Sequence, residues 1–288
     1  MARKPSKLNA YWRLMRFDKP IGTLILLWPA LWALWIAGNG HPSTKALLAI
    51  ALGTVIMRAA GCVINDYADR NFDPHVERTR LRPIAAGEVS PKEALWLFGG
   101  LCLSAFILVL QLNTLSILLS FPGAFLAASY PFTKRFTSLP QAYLGIAFGW
   151  AVPMSFAAET GTIPTEAWIL FTATAIWALI YDTMYAMVDR DDDLKIGVKS
   201  TAILFGRHDR LIIGGLQILM LGLLYVAGVE ANLGWAYDGG LLVGLGLFAY
   251  QQWLIKRHVK AQCFAAFLNN NWFGASVFAG IWLDYFVR

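Results

Sequence analysis

Nine apolar segments, each about as long as a membrane-spanning helix, dominate this chain of 288 residues. In lipid, every backbone polar group of such a segment has to be satisfied within the segment, which makes a helix its stable form. The pattern therefore predicts an all-α, polytopic membrane protein with nine transmembrane helices, and one membrane-embedded domain over residues 1–288. The segments are about 21–37, 46–64, 94–112, 114–131, 140–158, 167–188, 211–229, 236–255 and 267–287.

Composition supports a membrane protein. The chain is 57% hydrophobic and 15% charged, and a soluble domain of this length would carry more charge. Its 12 Trp and 10 Tyr are typical of the aromatic belts at membrane surfaces. Cys62, Cys102 and Cys263 lie far apart in apolar segments, which favours packing over disulfides or metal binding. No secretory or mitochondrial leader is evident, so we expect a bacterial inner membrane protein.

The basic residues predict the orientation of the chain. The N-terminal segment and the loops after the second, fourth, sixth and eighth apolar segments together hold 21 of the 24 Lys and Arg, Arg3, Lys4 and Arg78 among them. Because basic loops stay in the cytoplasm, we expect a cytoplasmic N-terminus and an outer C-terminus. The net charge of +6 is thus assigned to membrane topology and not to nucleic acid.

A polar cluster follows the second apolar segment. Asn65, Asp69 and Asp73 are spaced i, i+4 and i+8, which places them on one helical face, with Asp66 beside them. Clustered carboxylates repel one another unless a positive charge lies between them. Oxygen ligands of this kind suit Mg²⁺, which keeps part of its coordination shell for substrate phosphates. The spacing predicts a magnesium site.

A second cluster ends the sixth apolar segment. Asp182, Asp189 and Asp193 are spaced i, i+7 and i+11 on one helical stripe, with Asp191 and Asp192 between the last two. Both clusters lie on the predicted cytoplasmic side, so we expect them to face each other across one polar site.

Two ionisable groups lie deeper, within the apolar segments. Arg58 comes seven residues before Asn65, and Asp182 comes seven residues before Asp189. A charge inside a membrane span is costly and marks a functional candidate. Arg58 is expected to receive an anionic substrate group, and the alternative is an Arg58–Asp182 ion pair that only locks two helices.

Basic side chains accompany both clusters. Carboxylates and cations that converge on one side of a membrane suit a diphosphate bridged by Mg²⁺. The candidate cations are Lys134 and Arg135 after the fourth segment, Arg70, Arg78, Arg80 and Arg82 near the first cluster, and Arg190, Lys195 and Lys199 near the second.

These motifs resemble those of the UbiA superfamily of intramembrane aromatic prenyltransferases. That family carries an NDxxDxxxD motif, matched by Asn65, Asp66, Asp69 and Asp73, and a DxxxD motif, matched by Asp189 and Asp193. The resemblance covers essentially the whole chain. Further segments resemble the branch that uses 4-hydroxybenzoate; they are residues 18–22, 58–62, 181–189 and 199–201.

The resemblance implies a bundle of nine helices around a central cavity, with polyprenyl diphosphate as donor, 4-hydroxybenzoate as acceptor and Mg²⁺ as cofactor. Its metal ligands would be the six residues of the two motifs. Lys134 and Arg135 would stabilise charge on the leaving diphosphate, and Asp182 would polarise the phenol. The substrate-binding residues would be Arg58 for the acceptor carboxylate, with Arg70, Tyr185, Lys195 and Lys199.

Two alternatives stay open at this point. A prenyltransferase of the same superfamily with another acceptor would share the metal motifs and differ around the acceptor pocket. A cation-coupled transporter would also use carboxylates within the membrane, but its binding site would lie near the midplane between broken helices. Here the carboxylates cluster near one surface, which favours the enzyme.

Overall fold

The computed structural model describes residues 6–75 and 79–288, so Arg3, Lys4 and Arg78 lie outside the described residues. The described parts are helical and contain no strand. Two 3₁₀ turns, Asp73–His75 and Gly206–His208, lie in the connections between the helices. The helices are α1 (Lys7–Leu14), α2 (Ile21–Ala37), α3 (Thr44–Asp69), α4 (Pro91–Val109), α5 (Thr114–Thr133), α6 (Pro140–Gly149), α7 (Ala151–Thr160), α8 (Thr165–Ile196), α9 (Thr201–Phe205), α10 (Asp209–Glu230), α11 (Trp235–Ile255) and α12 (Lys260–Val287).

Every predicted apolar segment overlaps a helix of the described chain. The fifth segment differs from the prediction, because it is not one continuous helix. It forms two ten-residue helices, α6 and α7, that meet at Trp150. Pro153 explains the interruption, because it has no N–H to donate to the carbonyl of Gly149 four residues earlier. Five helical stretches in the described chain are long and apolar enough to cross a membrane. The prediction of an all-α polytopic membrane protein is confirmed, and the count of nine crossings stays a prediction.

The two helices that carry the polar clusters are unusually long. With 32 residues, α8 extends about 48 Å at 1.5 Å per residue, while the hydrocarbon core of a bilayer is about 30 Å thick. α3 has 26 residues and extends about 39 Å. Both lengths exceed this thickness, and we expect the excess to lie at the polar end of each helix, where its aspartates are.

α12 is joined to its neighbours by three consecutive asparagines, residues 269–271. Side-chain amides that bond across helices hold membrane bundles together, because each would otherwise be unsatisfied in an apolar setting. In chain order they accept hydrogen bonds from Gln251 of α11 at 3.0 Å, Trp177 of α8 at 2.8 Å and Trp28 of α2 at 3.0 Å. One helix thus fixes three others around the interior of the bundle.

The short helix α1 packs beside the end of α3. Its buried residues Ala10 and Leu14 join an apolar cluster with Val63 of α3. Lys7 and Tyr11 both donate to Glu93 at the start of α4, at 2.8 and 3.1 Å. These contacts fix the segment that follows α1 against the first aspartate cluster.

Candidate active site

A polar cavity of about 230 Å³ brings the two aspartate clusters together. It lies among α3, α5, α6 and α8, with the segment after α8 closing one side. Nine of the predicted site residues line it: Asn65, Asp69, Asp73, Lys134, Asp182, Tyr185, Asp189, Asp193 and Lys199. Two long helices separated by more than a hundred residues of sequence thus contribute carboxylates to one site.

Asp69 is the most distinctive carboxylate of the cavity. It is 4% exposed, and Lys134 forms an ion pair with its Oδ2. Its Oδ1 is buried and has no hydrogen-bond partner among the residues that the structure describes. A buried carboxylate oxygen left unpaired carries a free-energy cost, which a bound cation or donor would relieve. Asp69 therefore offers one oxygen to a ligand of the cavity.

Asp66 lies behind the cavity and is occupied by two arginines. Arg16 Nη2 donates to its two carboxylate oxygens at 2.9 and 3.1 Å, and Arg82 Nη1 lies 3.2 Å from Oδ1. Asp66 is 1% exposed and does not line the cavity. Its observed contacts are those of a counter-ion for the two arginines.

Asp73 lines the cavity from a 3₁₀ turn and not from the helix that its spacing predicted. α3 ends at Asp69, and Pro74 disfavours a helical conformation at the residue before it. Arg82 donates to Asp73 at 3.0 and 3.2 Å. Burial raises the pKa of Asp73, opposed by Arg82. Burial also works against the charge on Arg82, but Asp66 and Asp73 outweigh it and raise the pKa of Arg82.

The helical period divides the second cluster into two sets. Asp182, Asp189 and Asp193 line the cavity. Asp191 and Asp192 point away from it, and each lies 3.3 Å from a lysine of the surface, Lys260 and Lys195 respectively. Only the stripe defined by the i, i+7 and i+11 spacing reaches the site.

The predicted cations also divide. Lys134 and Lys199 line the cavity, whereas Lys195 pairs with Asp192 and its side chain is 74% exposed. Arg82 also lines the cavity. The sequence grouped it with the other arginines near the first cluster and did not single it out.

Arg70 and Arg135 bind the backbone at the end of α3. Arg70 Nη1 donates to the carbonyl of Tyr67 at 2.8 Å, and Arg135 Nη2 donates to the carbonyl of Ala68. The last carbonyls of a helix lack partners within the helix, and basic side chains commonly satisfy them. The structure therefore places these two predicted phosphate ligands next to Asp69, but not on the cavity wall.

Arg58 lies against the start of α2. A Cβ atom added to Gly22 would fall 2.5 Å from Arg58 Nη2, so the absence of a side chain at residue 22 makes room for the guanidinium. No ion pair of Arg58 is seen in the described part of the chain, where the acidic partners of Arg16, Arg82 and Lys134 are Asp66, Asp69 and Asp73. Residues 18–22 are one of the segments that resemble the family, but no role was predicted for Gly22 within that segment.

Three tyrosines surround the region between Arg58 and the cavity. Tyr130, Tyr181 and Tyr185 lie within electrostatic range of the guanidinium of Arg58. Asp182 lies within range of the phenols of Tyr130 and Tyr181. An arginine and phenol groups thus lie close together beside the polar cavity, whose wall includes Tyr130, Asp182 and Tyr185.

Gln141 is a residue of the cavity wall that the sequence did not reveal. Its Oε1 accepts a hydrogen bond from the backbone N–H of Thr201 at 3.0 Å. The hydroxyls of Thr201 and Thr183 are 2.7 Å apart. These bonds hold the segment that contains Lys199 against α6 and α8, and an isolated glutamine after Pro140 carried no spacing signal for this role.

An apolar groove of about 410 Å³ adjoins the polar cavity. Small residues of α3, α4 and α5 form much of its wall, and it extends to Trp150 at the junction of α6 and α7. Tyr130 lines the polar cavity and Phe148 lines the groove, with their ring centroids 6.3 Å apart in an edge-to-face arrangement. This aromatic pair lies where the polar and apolar spaces meet.

The donor set of the cavity fits Mg²⁺. Carboxylates and the Asn65 amide supply hard oxygen donors, and within the described ranges Asp69 Oδ1 has no other partner. No three His, Cys, Asp or Glu side chains in the described ranges are close enough to form a complete metal site by themselves. Mg²⁺ commonly binds through one or two carboxylates together with substrate phosphates, and this arrangement matches that mode.

Sequence comparison identifies the class of protein. The family model described as the UbiA prenyltransferase family matches residues 26–277. The chain therefore belongs to the UbiA prenyltransferase family.

Two curated relatives illustrate how similar its members are. A 4-hydroxybenzoate octaprenyltransferase of Methylococcus capsulatus is 69% identical over 280 residues, which cover 97% of this chain and 96% of the relative. A 4-hydroxybenzoate octaprenyltransferase of Vibrio cholerae is 57% identical over 278 residues, which cover 96% of this chain and 98% of the relative.

Solved structures show the same fold. The apo structure of a UbiA homolog from Aeropyrum pernix has a TM-score of 0.80 at 24% identity and covers 93% of this chain and 98% of its own. A UbiA homolog from Archaeoglobus fulgidus, bound to GPP and Mg²⁺, has a TM-score of 0.68 at 17% identity and covers 94% of this chain and 99% of its own.

Proposed function

We propose that this protein transfers a polyprenyl group from polyprenyl diphosphate to the ring carbon ortho to the hydroxyl of 4-hydroxybenzoate. The products are 3-polyprenyl-4-hydroxybenzoate and diphosphate, as a step of ubiquinone biosynthesis. One observation carries the proposal: a carboxylate-lined cavity with an unpaired Asp69 oxygen adjoins an apolar groove. The names of relatives that match nearly the whole chain support the acceptor and suggest an eight-isoprene donor.

The carboxylates of the cavity are proposed to hold the donor head through Mg²⁺. Bound Mg²⁺ would neutralise the diphosphate and make it a better leaving group. Asp66 would first have to release Arg16 or Arg82 to join the ligands, so its proposed contribution is weaker than that of the cavity residues. The proposed ligands on the cavity wall are Asn65, Asp69, Asp73, Asp189 and Asp193.

Cations are proposed to act in two ways. Lys134 and Lys199 line the cavity and would bind phosphate oxygens, where they stabilise the charge that builds up as the C–O bond breaks. Arg135 and Arg70 would support Asp69 by fixing the backbone at the end of α3. Lys195 would reach the diphosphate only after leaving Asp192.

The apolar groove is proposed to hold the prenyl tail. Its small wall residues leave room for a chain, and its lining is mostly apolar. Cleavage sends the bonding electron pair to the diphosphate and leaves an allylic cation at the junction of cavity and groove. Tyr130 and Phe148 at that junction would shield the cation from water and stabilise it through their ring faces.

The pocket around Arg58 is proposed to bind 4-hydroxybenzoate. Arg58 would pair with the carboxylate, with Tyr185 against the ring, and Asp182 would polarise the phenol hydroxyl. The ortho carbon then forms a bond to the allylic carbon and loses its proton, which restores aromaticity. The acceptor carboxylate and the donor diphosphate are thereby kept at different depths in one site.

We further propose one membrane-embedded domain in a bacterial inner membrane, with the active site facing the cytoplasm. The distribution of 21 of the 24 Lys and Arg supports this orientation. Bacterial relatives of nearly equal length support the location.

A transferase assay tests the reaction. Membranes that contain the protein are supplied with 4-hydroxybenzoate and a short polyprenyl diphosphate, with Mg²⁺ or with EDTA, and the prenylated acid is measured by mass. We expect product only with Mg²⁺, and none from Asp69→Ala or Asp189→Ala. Diphosphate release without prenylated acid would point to another acceptor. Neither product nor diphosphate release from folded protein would refute the transferase.

The acceptor pocket has its own test, which uses two matched variants. Arg58→Lys keeps the charge but loses the planar fork that binds a carboxylate, and we expect the KM for 4-hydroxybenzoate to rise about 30-fold. Gly22→Ala leaves Arg58 in place but displaces its guanidinium, and we expect a rise of about fivefold. The KM for the donor should stay within about twofold in both variants. An unchanged acceptor KM in Arg58→Lys would remove Arg58 from this role.

A further inference from the structure

Arg190 belongs to the second motif on α8, but its side chain binds a residue of α10. Its Nη2 forms an ion pair with Asp209, the first residue of α10, and donates to the carbonyls of Ala202 at 2.6 Å and Gly206 at 3.4 Å. Arg190 does not line the polar cavity. This arginine was a candidate phosphate ligand in the sequence, and the structure turns it towards α9 and α10.

Asp209 is a fully buried carboxylate with several donors. Its side chain has 0% exposure, and it pairs with Arg190 on one side. On the other, His258 Nε2 lies 2.9 and 3.1 Å from its two oxygens. His258 has a φ of +53°, a conformation that is uncommon outside glycine, in the link between α11 and α12. Asp209 thus joins the end of α8 to two later segments of the chain.

The helical position of Arg190 makes this arrangement significant. Arg190 precedes Asp193 by three residues, and side chains at i and i+3 on a helix are near enough to form an ion pair. Arg190 pairs with Asp209 in the structure, and Asp193, one of the proposed metal ligands, is at a helical spacing that also allows pairing. A guanidinium that moved to Asp193 would compete there with a divalent cation.

We propose that Asp209 is a positioning residue that holds the Arg190 guanidinium away from Asp193 and so preserves the affinity of the second motif for a divalent cation. The inference rests on the proposed metal role of Asp189 and Asp193. It gives Asp209 a defined function without contact to either substrate.

Binding of Mn²⁺ tests the proposal without turnover. The purified full chain in detergent is titrated with Mn²⁺ in the presence of inorganic diphosphate, and free Mn²⁺ is measured by electron paramagnetic resonance. Asp209→Asn should raise the Kd about tenfold, as the loss of a residue that supports metal ligands commonly does. Adding Arg190→Gln should return the Kd to within about twofold of the unaltered protein, because the competing cation is gone.

Two further variants separate positioning from general damage. Asp284→Asn alters another buried aspartate that pairs with an arginine and accepts a backbone N–H, but it lies at the far end of α12 and should leave the Kd unchanged. Arg190→Gln alone removes the competitor even if Asp209→Asn fails to fold, and it should bind Mn²⁺ at least as tightly as the unaltered protein.

The outcomes are distinct. A double variant as weak as Asp209→Asn, or a folded Arg190→Gln that binds about tenfold more weakly, would show that Arg190 supports the ligands and would overturn the proposal. An unaltered protein that binds no Mn²⁺ would overturn the proposed metal site itself, and this inference with it.

Discussion

At the end of α3 the neighbouring arginines turn into the carboxylate cluster, whereas at the end of α8 the arginine turns away from it. Arg16 and Arg82 occupy Asp66, and Arg82 also occupies Asp73. Arg190 instead reaches Asp209 on another helix. The first cluster thus forms ion pairs with nearby arginines, whereas Arg190, which lies next to the second cluster, pairs with Asp209 instead.

Burial accompanies this difference. Asp66, Asp69 and Asp73 are each at most 5% exposed, while Asp189 and Asp193 are only partly buried. Buried carboxylates need partners, because an unpaired charge in an apolar surrounding is very costly. The comparison indicates that the first motif combines stability with ligand binding, whereas the carboxylates of the second motif are more accessible from the solvent.

The largest expected effect comes from Asp69, whose Oδ1 is unpaired in the described part of the chain. Asp69→Asn removes the charge at Oδ1 and Oδ2 with little change in shape, and we expect transferase activity to fall about 1,000-fold. Asp66→Asn, which alters a residue behind the cavity, should lower activity less and stability more. Product formation measures the activity of both variants, and thermal unfolding measures their stability. Equal losses of activity would contradict the different roles assigned to Asp69 and Asp66.

Arg82→Gln should lower stability strongly. The change leaves Asp73 without its cation and Asp66 with Arg16 alone, and removing one partner of a buried ion pair costs about 3 kcal/mol. Arg80→Gln is a matched control, because Arg80 is exposed on the same loop, and it should change stability by less than about 0.5 kcal/mol. Thermal unfolding in detergent gives both values. Similar melting temperatures for the two variants would contradict the role of Arg82.

Two lysines near the second aspartate cluster are expected to differ in their effect on donor binding, and this effect is smaller than the two above. Lys199→Ala removes a cation from the cavity wall, and we expect the KM for the donor to rise about tenfold. Lys195→Ala removes an exposed cation that pairs with Asp192, and its effect should be less than about twofold. Initial rates at several donor concentrations distinguish them. Equal effects would place both lysines at the diphosphate.

The smallest effect is expected at Asp191, an acidic residue within the second motif that faces outward. Its pairing with Lys260 joins two exposed side chains, and such pairs contribute less than about 1 kcal/mol. Asp191→Ala should leave both transferase activity and Mg²⁺ dependence near those of the unaltered protein. A large loss of activity would show that the motif uses more of its acidic residues than the stripe of three.

Much of the cavity could be predicted because helical spacing determines which side chains share a face. Asn65 and Asp69 on α3, and Asp182, Asp189 and Asp193 on α8, line the cavity as their spacing indicated. The apolar segments overlapped described helix for the same reason, since burial in lipid leaves a chain few alternatives.

The positions of the cations could not be predicted in this way. Arg70 and Arg135 lie near the site in sequence and in space, but unsatisfied carbonyls at the end of α3 attract them instead. Arg16 has a φ of +60° and donates to Asp66, and a basic N-terminal segment reveals neither feature. Long, flexible side chains choose among several partners, and the choice depends on the complete fold.

The length of α8 determines where each product of the proposed reaction goes. Because its last turns are expected to extend beyond the apolar layer, bond cleavage would take place at the boundary between lipid and water. Diphosphate, which is highly charged, would diffuse into the aqueous phase, while the prenylated ring would remain dissolved in the bilayer. The two fragments of one molecule would thus be partitioned into different solvents as they form. Re-encounter would become rare, and this separation would favour the forward reaction in addition to the formation of the C–C bond.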